Sequence, residues 1–233
     1  MPDKSRAVLF DLDDTLYPQR RFLFSGFAAV ARRLATTFDI DAEAALRTLV
    51  QAYRSTDRGH ELEHVIATFR LPVAVSTLVQ VMREHAPSLR LRPSTWRTLR
   101  QLRDTWSLAI VTNGMPDIQR RKIAALGLDS LVDTIVYASE HGSGAGKPDR
   151  EPFIEALRRL RLDPSQAVFV GDDERNDIGG AAACGLATIH TVQWRSIAQI
   201  DVDVRPDTVV HHIADVPAHA DALLLRRWAH HAA

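Results

Sequence analysis

The chain has 233 residues, of which 45% are hydrophobic and 25% are charged, proportions that exclude a collagen-like or low-complexity disordered protein. Because 29 Lys and Arg residues balance 29 Asp and Glu residues, no overall positive charge is available to hold nucleic acid. The single cysteine, Cys184, excludes an internal disulfide and favours a reducing compartment. With no membrane-length apolar run and no signal-peptide segment, we expect a cytoplasmic protein with no nucleic-acid or membrane partner.

Six short apolar runs predict β-strands. The runs are rich in β-branched residues, and their continuous apolarity predicts strands that are buried on both faces. They are Ala7–Phe10, Leu108–Val111, Thr134–Tyr137, Ala167–Val170, Ala187–Val192 and Thr208–His212. Helical patterns lie between the later runs, including one over residues 173–184. Strands that alternate with helices predict an α/β fold with a doubly wound parallel sheet.

The stretch between the first and second strands is helical throughout. The predicted helices are Phe22–Phe38, Ala42–Tyr53, Leu62–Phe69 and Val73–His85. We therefore predict a smaller helical domain over residues 19–87, inserted after the first strand of a core formed by residues 1–18 and 88–233.

Two carboxylates follow the first strand directly. In an extended chain residues i and i+2 point the same way, so Asp11 and Asp13 emerge together at the carboxyl end of the strand. Ligands bind at that edge of doubly wound sheets. The alternative is a solvated Asp-rich turn, but no structural need for two carboxylates is evident after a buried strand.

Two later segments also place polar residues at predicted strand ends or turns. Thr112 and Asn113 begin a turn whose hydroxyl and N–H groups can hold a phosphoryl oxygen. Lys147 precedes Pro148, which we expect to begin the next helix. Each of these segments alone also fits an ordinary turn or a solvated surface.

The fourth predicted strand likewise delivers carboxylates to its carboxyl end. Asp172 ends the strand segment and Asp177 follows one helical turn later, whereas Asp173 is expected to cap the helix. Together with Asp11 and Asp13 these side chains are expected around Lys147, the one cation of the predicted cluster. Such carboxylates repel one another unless some are protonated or a metal binds. Oxygen ligands of high charge suit Mg²⁺, and the combination suits phosphoryl transfer.

The order and strand context of these motifs resemble the haloacid dehalogenase superfamily of hydrolases, in its phosphatase branch. The matching segments are Asp11-Leu12-Asp13-Asp14-Thr15, Thr112, Lys147-Pro148 and Gly171-Asp172 with Asp177. The resemblance implies a Rossmann-like core, with the helical insertion as a cap of the small α-helical type. A finer resemblance, through Thr112-Asn113-Gly114, Gln119, Lys122 and Gly127-Leu128, is to members that act on nucleoside monophosphates and sugar phosphates.

The resemblance also implies roles. Asp11 is the nucleophile that becomes an aspartyl-phosphate, and Asp13 is the general acid and base. Thr112 and Asn113 bind the substrate phosphate together with Lys147, which offsets negative charge.

The implied cofactor is Mg²⁺. Its ligands are Asp11, the backbone carbonyl of Asp13, and Asp172. Asp177 does not bind the metal directly and orients metal-bound water or Lys147. The implied partner is a small phosphorylated metabolite such as a nucleoside monophosphate, a sugar phosphate or a phosphoglycolate-like compound.

Several alternatives stay open from the sequence. A phosphomutase has the same core motifs, a 2-haloacid dehalogenase shares the Asp nucleophile, and a non-catalytic interaction protein is less favoured. His60-Glu61-Leu62-Glu63-His64 matches the H-E-x-x-H zinc pattern, but it lies in a polar stretch at a helix start, so we disfavour zinc. The substrate, the cap residues that select it and the oligomeric state are not predicted.

Overall fold

The predicted α/β fold is confirmed in a computed structural model that describes residues 4–55, 58–144, 146–194 and 204–231. The chain divides into two compact units. One comprises Met1–Pro18 together with Arg90–Ala233, and the other is Gln19–Leu89. In the described ranges, no helix combines the length and apolarity needed to cross a membrane.

The first strand is followed by the four helices of the smaller unit. The elements are β1 (Ala7–Phe10), α1 (Arg20–Phe38), α2 (Ala42–Arg54), α3 (Glu61–Phe69) and α4 (Val75–Glu84). The helical unit has its own apolar core, in which Phe27, Leu34, Leu49 and Leu78 are buried. The Asp41 side chain caps α2 by accepting from the N–H groups of the first turn.

The remaining elements build the larger unit. They are α5 (Pro93–Arg103), β2 (Ser107–Thr112), α6 (Pro116–Leu126), β3 (Thr134–Tyr137), α7 (Glu151–Leu160), β4 (Ala167–Gly171), a π-helical turn (Glu174–Gly179), α8 (Gly180–Ala183), β5 (Ala187–Thr191), β6 (Thr208–Val210) and α9 (Val216–His231).

The six strands form one parallel sheet in the order β3-β2-β1-β4-β5-β6. The central strand β1 lies between β2 and β4, and Phe10 pairs with Ile110 and Val170. The chain order reverses direction across this point, which is the switch point at which open α/β sheets bind ligands. The residues that follow β1, β2 and β4 therefore reach the same edge.

The structure corrects three local predictions. Burial on both faces holds for the central strands but is wrong for the edge strand β6, where the Val209 side chain is 40% exposed. The helix predicted from residue 173 begins instead as the π-helical turn. Pro148 does not begin a helix, because the chain continues as a turn until α7 starts at Glu151.

Candidate active site

Asp11 and Lys147 form the centre of a buried ionic cluster at the carboxyl edge of the sheet. The ammonium of Lys147 donates to Asp11 Oδ1 at 2.6 Å, to Asp177 Oδ1 at 2.6 Å and to the carbonyl of Val111 at 2.9 Å. These three bonds use all three N–H groups of the ammonium. Burial acts to lower the pKa of Lys147, but the Asp11 and Asp177 carboxylates outweigh it and the net shift is upward. The lysine is therefore held charged.

Asp177 is fixed from behind by the start of the π-helical turn. Its Oδ2 accepts the backbone N–H groups of Asp172 and Asp173, each at 3.1 Å. Gly171 makes room for this side chain, since a Cβ at that position would lie 2.4 Å from the Cβ of Asp177. The carboxylate thereby joins the end of β4 to the lysine.

Three carboxylates of the cluster are close enough to one another to hold a metal ion. Oxygens of Asp11, Asp172 and Asp177 lie within 4.8 Å of one another, and all three residues are buried. Burial raises the pKa of Asp11 to about 7, Lys147 opposes the rise, and Asp177 and Asp13 add to it. One lysine therefore faces three buried carboxylates. A further cation of the hard, oxygen-binding kind fits this donor set.

Asp172 has two further neighbours to which the sequence assigns no role, Thr15 of the first motif and His190. Thr15 Oγ1 lies 3.5 Å from its Oδ1, and a ring nitrogen of His190 lies 3.0 Å from its backbone carbonyl. Both neighbours are buried. They help to fix the position of this strand end.

Asp13 lies in a different environment, which we call the Asp13 cluster: Asp13, Tyr17, Gln119 and Lys122. Lys122 Nζ donates to both carboxylate oxygens, at 2.8 and 2.7 Å. The Tyr17 hydroxyl donates at 2.5 Å and Gln119 Nε2 at 3.0 Å. The pKa of Tyr17 is raised, first by burial and then by the Asp13 carboxylate, so the phenol keeps its proton and acts as a donor.

The prediction that Lys147 is the one cation among these carboxylates is wrong. Lys122 is buried and forms an ion pair with Asp13 at 2.7 Å. Its sequence neighbourhood, Gln119-Arg120-Arg121-Lys122, looks like a solvated basic face. Its spacing held the relevant information, because Gln119, Lys122, Ile123 and Leu126 form one buried stripe of α6.

Thr112 and Asn113 lie between the two clusters. Thr112 Oγ1 accepts from Gln119 Nε2 at 2.6 Å and donates to the carbonyl of Asn113 at 3.3 Å. The Asn113 amide binds the main chain of Lys147, with Oδ1 accepting its N–H at 2.8 Å and Nδ2 donating to its carbonyl at 3.0 Å. In this structure Asn113 holds the Lys147 segment, and phosphate binding by Asn113 stays a prediction.

The remaining candidates lie apart from this chemistry. Asp173 caps the π-helical turn by accepting the Asn176 N–H at 2.7 Å. Among the described residues the acidic triad is the one group of His, Cys, Asp and Glu side chains close enough to hold a metal, and His60 and His64 are not part of it. Cys184 is buried, and burial raises the pKa of its thiol.

Comparisons with known proteins identify the family of the chain. A family model of haloacid dehalogenase-like hydrolases matches residues 5–185. The chain is 33% identical over 200 residues to the glyceraldehyde 3-phosphate phosphatase of Methanopyrus kandleri, covering 79% of this chain and 83% of that protein. It is 34% identical over 200 residues to the ribulose-1,5-bisphosphate 5-phosphatase of Halopiger xanaduensis, covering 78% and 83%.

A solved structure also matches the fold. The crystal structure of a 2-haloacid dehalogenase from Pseudomonas syringae pv. Tomato DC3000 matches 96% of this chain and 99% of that chain, with 27% sequence identity and a TM-score of 0.62. The family match over most of the chain, together with these phosphatase relatives, shows that this chain belongs to the haloacid dehalogenase-like hydrolases, as an enzyme of their phosphatase branch.

Proposed function

We propose that the protein is a Mg²⁺-dependent phosphomonoesterase that hydrolyses a small phosphorylated metabolite through an aspartyl-phosphate on Asp11. The observation that carries the proposal is the buried Lys147 ammonium, 2.6 Å from both Asp11 and Asp177, beside the Asp172 carboxylate. A nucleophilic carboxylate that meets a phosphate dianion needs positive charge close by.

In the first half-reaction Asp11 is the nucleophile. One of its carboxylate oxygens forms a bond to phosphorus while the bond from phosphorus to the ester oxygen breaks. Asp13 begins this step protonated and gives its proton to the leaving oxygen. An alcohol departs and Asp13 remains as the carboxylate, the form that accepts from Lys122, Tyr17 and Gln119 in the structure. Lys147 offsets charge on Asp11 and the phosphoryl group, and Thr112 donates to a phosphoryl oxygen.

In the second half-reaction water attacks phosphorus and Asp13 takes its proton. The bond from phosphorus to the Asp11 oxygen breaks, which releases inorganic phosphate and restores both side chains to their starting forms. One residue thus serves first as an acid and then as a base, as the geometry of two carboxylates on one strand end allows.

The residues fit Mg²⁺ by charge and donor type. Asp11 and Asp172, with the backbone carbonyl of Asp13, are the proposed ligands, and Asp177 holds Lys147 and the end of β4 behind them. When bound, Mg²⁺ supplies positive charge beside the phosphoryl oxygens. The excess of carboxylate over lysine in the buried triad supports this part of the proposal.

We propose a phosphorylated sugar or a similarly small phosphate ester as the substrate. The names of the two relatives, which specify a triose phosphate and a pentose bisphosphate, favour this class over nucleoside monophosphates. The compact helical unit Gln19–Leu89 is proposed as the cap that selects the leaving group, and the cytoplasmic location stays a prediction.

The test is a phosphate-release panel on the purified chain. It contains triose, pentose and hexose phosphates, phosphoglycolate and nucleoside monophosphates, each with Mg²⁺ and with EDTA. We expect Mg²⁺-dependent release from at least one sugar phosphate and none with EDTA. Halide release from 2-chloropropionate without phosphatase activity, or an isomerised sugar phosphate without free phosphate, would instead identify a dehalogenase or a mutase.

A further inference from the structure

The Asp13 cluster contains a buried lysine whose position packing alone does not explain. The Asp13 side chain keeps 19% of its surface exposed, whereas the Lys122 side chain is 4% exposed. Taking an ammonium out of water is costly, and an apolar side chain of similar length would fill the same space without that cost. The position of Lys122 therefore calls for an explanation beyond packing.

We infer that Lys122 and Gln119 are positioning residues, which hold the Asp13 carboxylate beside the phosphate-binding Thr112. This inference rests on the proposed function, because holding Asp13 in place matters to the reaction only if Asp13 is its acid and base. The two side chains lie one turn apart on α6 and approach Asp13 from the same helix face.

Lys122 fixes the orientation of the carboxylate. Its Nζ lies almost equally far from the two oxygens, at 2.8 and 2.7 Å, and so restrains rotation about the terminal bond of the Asp13 side chain. Tyr17 adds a bond to Oδ1 and Gln119 adds one to Oδ2. With both oxygens engaged, the carboxylate is confined to one place.

Gln119 connects this carboxylate to the phosphoryl side of the site. Its Nε2 donates to Asp13 Oδ2 at 3.0 Å and to Thr112 Oγ1 at 2.6 Å. One amide nitrogen therefore sets the distance between the proton donor and the hydroxyl expected to bind phosphate. A misplaced acid loses much of its advantage, since proton transfer requires hydrogen-bond contact with the leaving oxygen.

The leaving group distinguishes positioning from mere structural support. An alkoxide leaves only with a proton, whereas p-nitrophenolate leaves without one. Because kcat/KM reports the steps up to departure of the alcohol or phenol, we compare kcat/KM for an alkyl phosphate with that for p-nitrophenyl phosphate. A fall in this ratio from wild type to a variant reports a loss of proton donation. A variant that damages the fold lowers both values together.

The experiment measures this ratio for wild type, Lys122→Met, Lys122→Arg and Asp13→Asn, with the alkyl phosphate that wild type hydrolyses best in the panel. We expect Lys122→Met to lower kcat/KM by about 100-fold on the alkyl phosphate and by less than about 5-fold on p-nitrophenyl phosphate. Lys122→Arg, whose guanidinium can also donate to both oxygens, should recover part of the loss. Asp13→Asn gives the ratio for complete loss of the acid.

The matched control is Arg120→Met on the same helix, which removes a surface cation bound to Asp117 and Glu140. It should change neither rate by more than about 2-fold. If Lys122→Met does not fold, as a thermal melt will show, Gln119→Leu removes the link between Asp13 and Thr112 without leaving a buried charge unpaired. It should also lower the ratio.

Equal losses on the two substrates in the folded variants, or no loss, would overturn the inference while the proposed function stands. A wild-type chain that hydrolyses neither ester would instead overturn the proposed function, and the inference with it.

Discussion

The carboxylates of Asp11 and Asp13 are only two residues apart in the chain, but they lie in opposite electrostatic environments. Around Asp11 the structure gathers two further buried carboxylates, Asp172 and Asp177, against the ammonium of Lys147. Around Asp13 it gathers donors, with Lys122, Tyr17 and Gln119 all directed at one carboxylate. The first neighbourhood has an excess of negative charge and the second is balanced.

The difference indicates how one strand end can support two kinds of chemistry. An acidic excess attracts a cation and with it a phosphate ester, whereas a balanced and fully bonded carboxylate stays in one position. In an extended chain residues i and i+2 point the same way, so the strand alone does not give Asp11 and Asp13 different environments. The helix α6 and the strand β4 make the two environments differ, because they supply the donors on one side and the carboxylates on the other.

The strongest way to break this comparison is to remove the nucleophile. Asp11→Asn should lower phosphate release by at least roughly 10⁴-fold, because no other carboxylate takes its place in line with the ester. The measurement is a steady-state assay with Mg²⁺ on the best panel substrate. Asp117→Asn, which changes an exposed carboxylate on α6, should stay within about 2-fold of wild type. Similar losses of phosphate release in both variants would contradict the assignment of Asp11 as the nucleophile.

The acidic excess predicts that Mg²⁺ stabilises the protein. At a free concentration 100 times its Kd, the ion should raise the free energy of unfolding by about 2.7 kcal/mol and the Tm by roughly 5–10 °C. Asp172→Asn should lose most of this shift, whereas Asp117→Asn should keep it. A Tm that does not respond to Mg²⁺ would contradict the assignment of the triad as a metal site.

The two neighbourhoods also predict different stability effects in metal-free protein. Asp13→Asn weakens the ion pair of a buried lysine and should lower the free energy of unfolding by about 1–3 kcal/mol. Asp11→Asn removes one negative charge from a cluster with too many, and Lys147 keeps its bond to Asp177, so stability should be unchanged or higher. Urea unfolding in EDTA at pH 7.5 measures both. A larger loss of the free energy of unfolding in Asp11→Asn than in Asp13→Asn would contradict this prediction.

The smallest predicted effect concerns Asp173. This carboxylate is next to Asp172 in the chain and caps the π-helical turn. Its side chain accepts the Asn176 N–H at 2.7 Å. Asp173→Ala should therefore cost about 1 kcal/mol of stability, and Asp173→Asn, which also caps, should cost less. Phosphate release should fall by less than about 10-fold in either. A loss of phosphate release as large as that of Asp11→Asn would show that Asp173 takes part in the reaction.

The sheet was predictable because local pattern determines it. Ala7–Phe10 and Thr134–Tyr137 have the predicted bounds, since each is a short apolar run that begins directly after a charged residue. The π-helical turn was not predictable in the same way. There a side chain, Asp177, returns to bind the backbone at Asp172 and Asp173, and hydrophobic spacing does not encode such a bond.

The candidate site, like the fold, has a part that the sequence pattern predicts and a part that it does not. Asp11, Lys147, Asp172 and Asp177 follow or lie close to strand ends, so the topology of a parallel sheet predicts that they meet. Lys122 reaches Asp13 from a helix 109 positions away in the chain. A lysine in a basic helical segment is usually solvated. The finer family resemblance includes Lys122 without giving it a role, and its place on the buried stripe with Ile123 and Leu126 is the physical sign that it is not solvated.

The most direct test of the account is to trap the covalent intermediate. Wild-type protein turning over its best substrate is quenched in acid, reduced with borohydride, digested and analysed by mass spectrometry. An acyl phosphate on Asp11 is reduced to homoserine, so the account predicts homoserine at position 11 and unmodified aspartate at position 13. Homoserine at another carboxylate, or no reduction in an enzyme that releases phosphate, would contradict it.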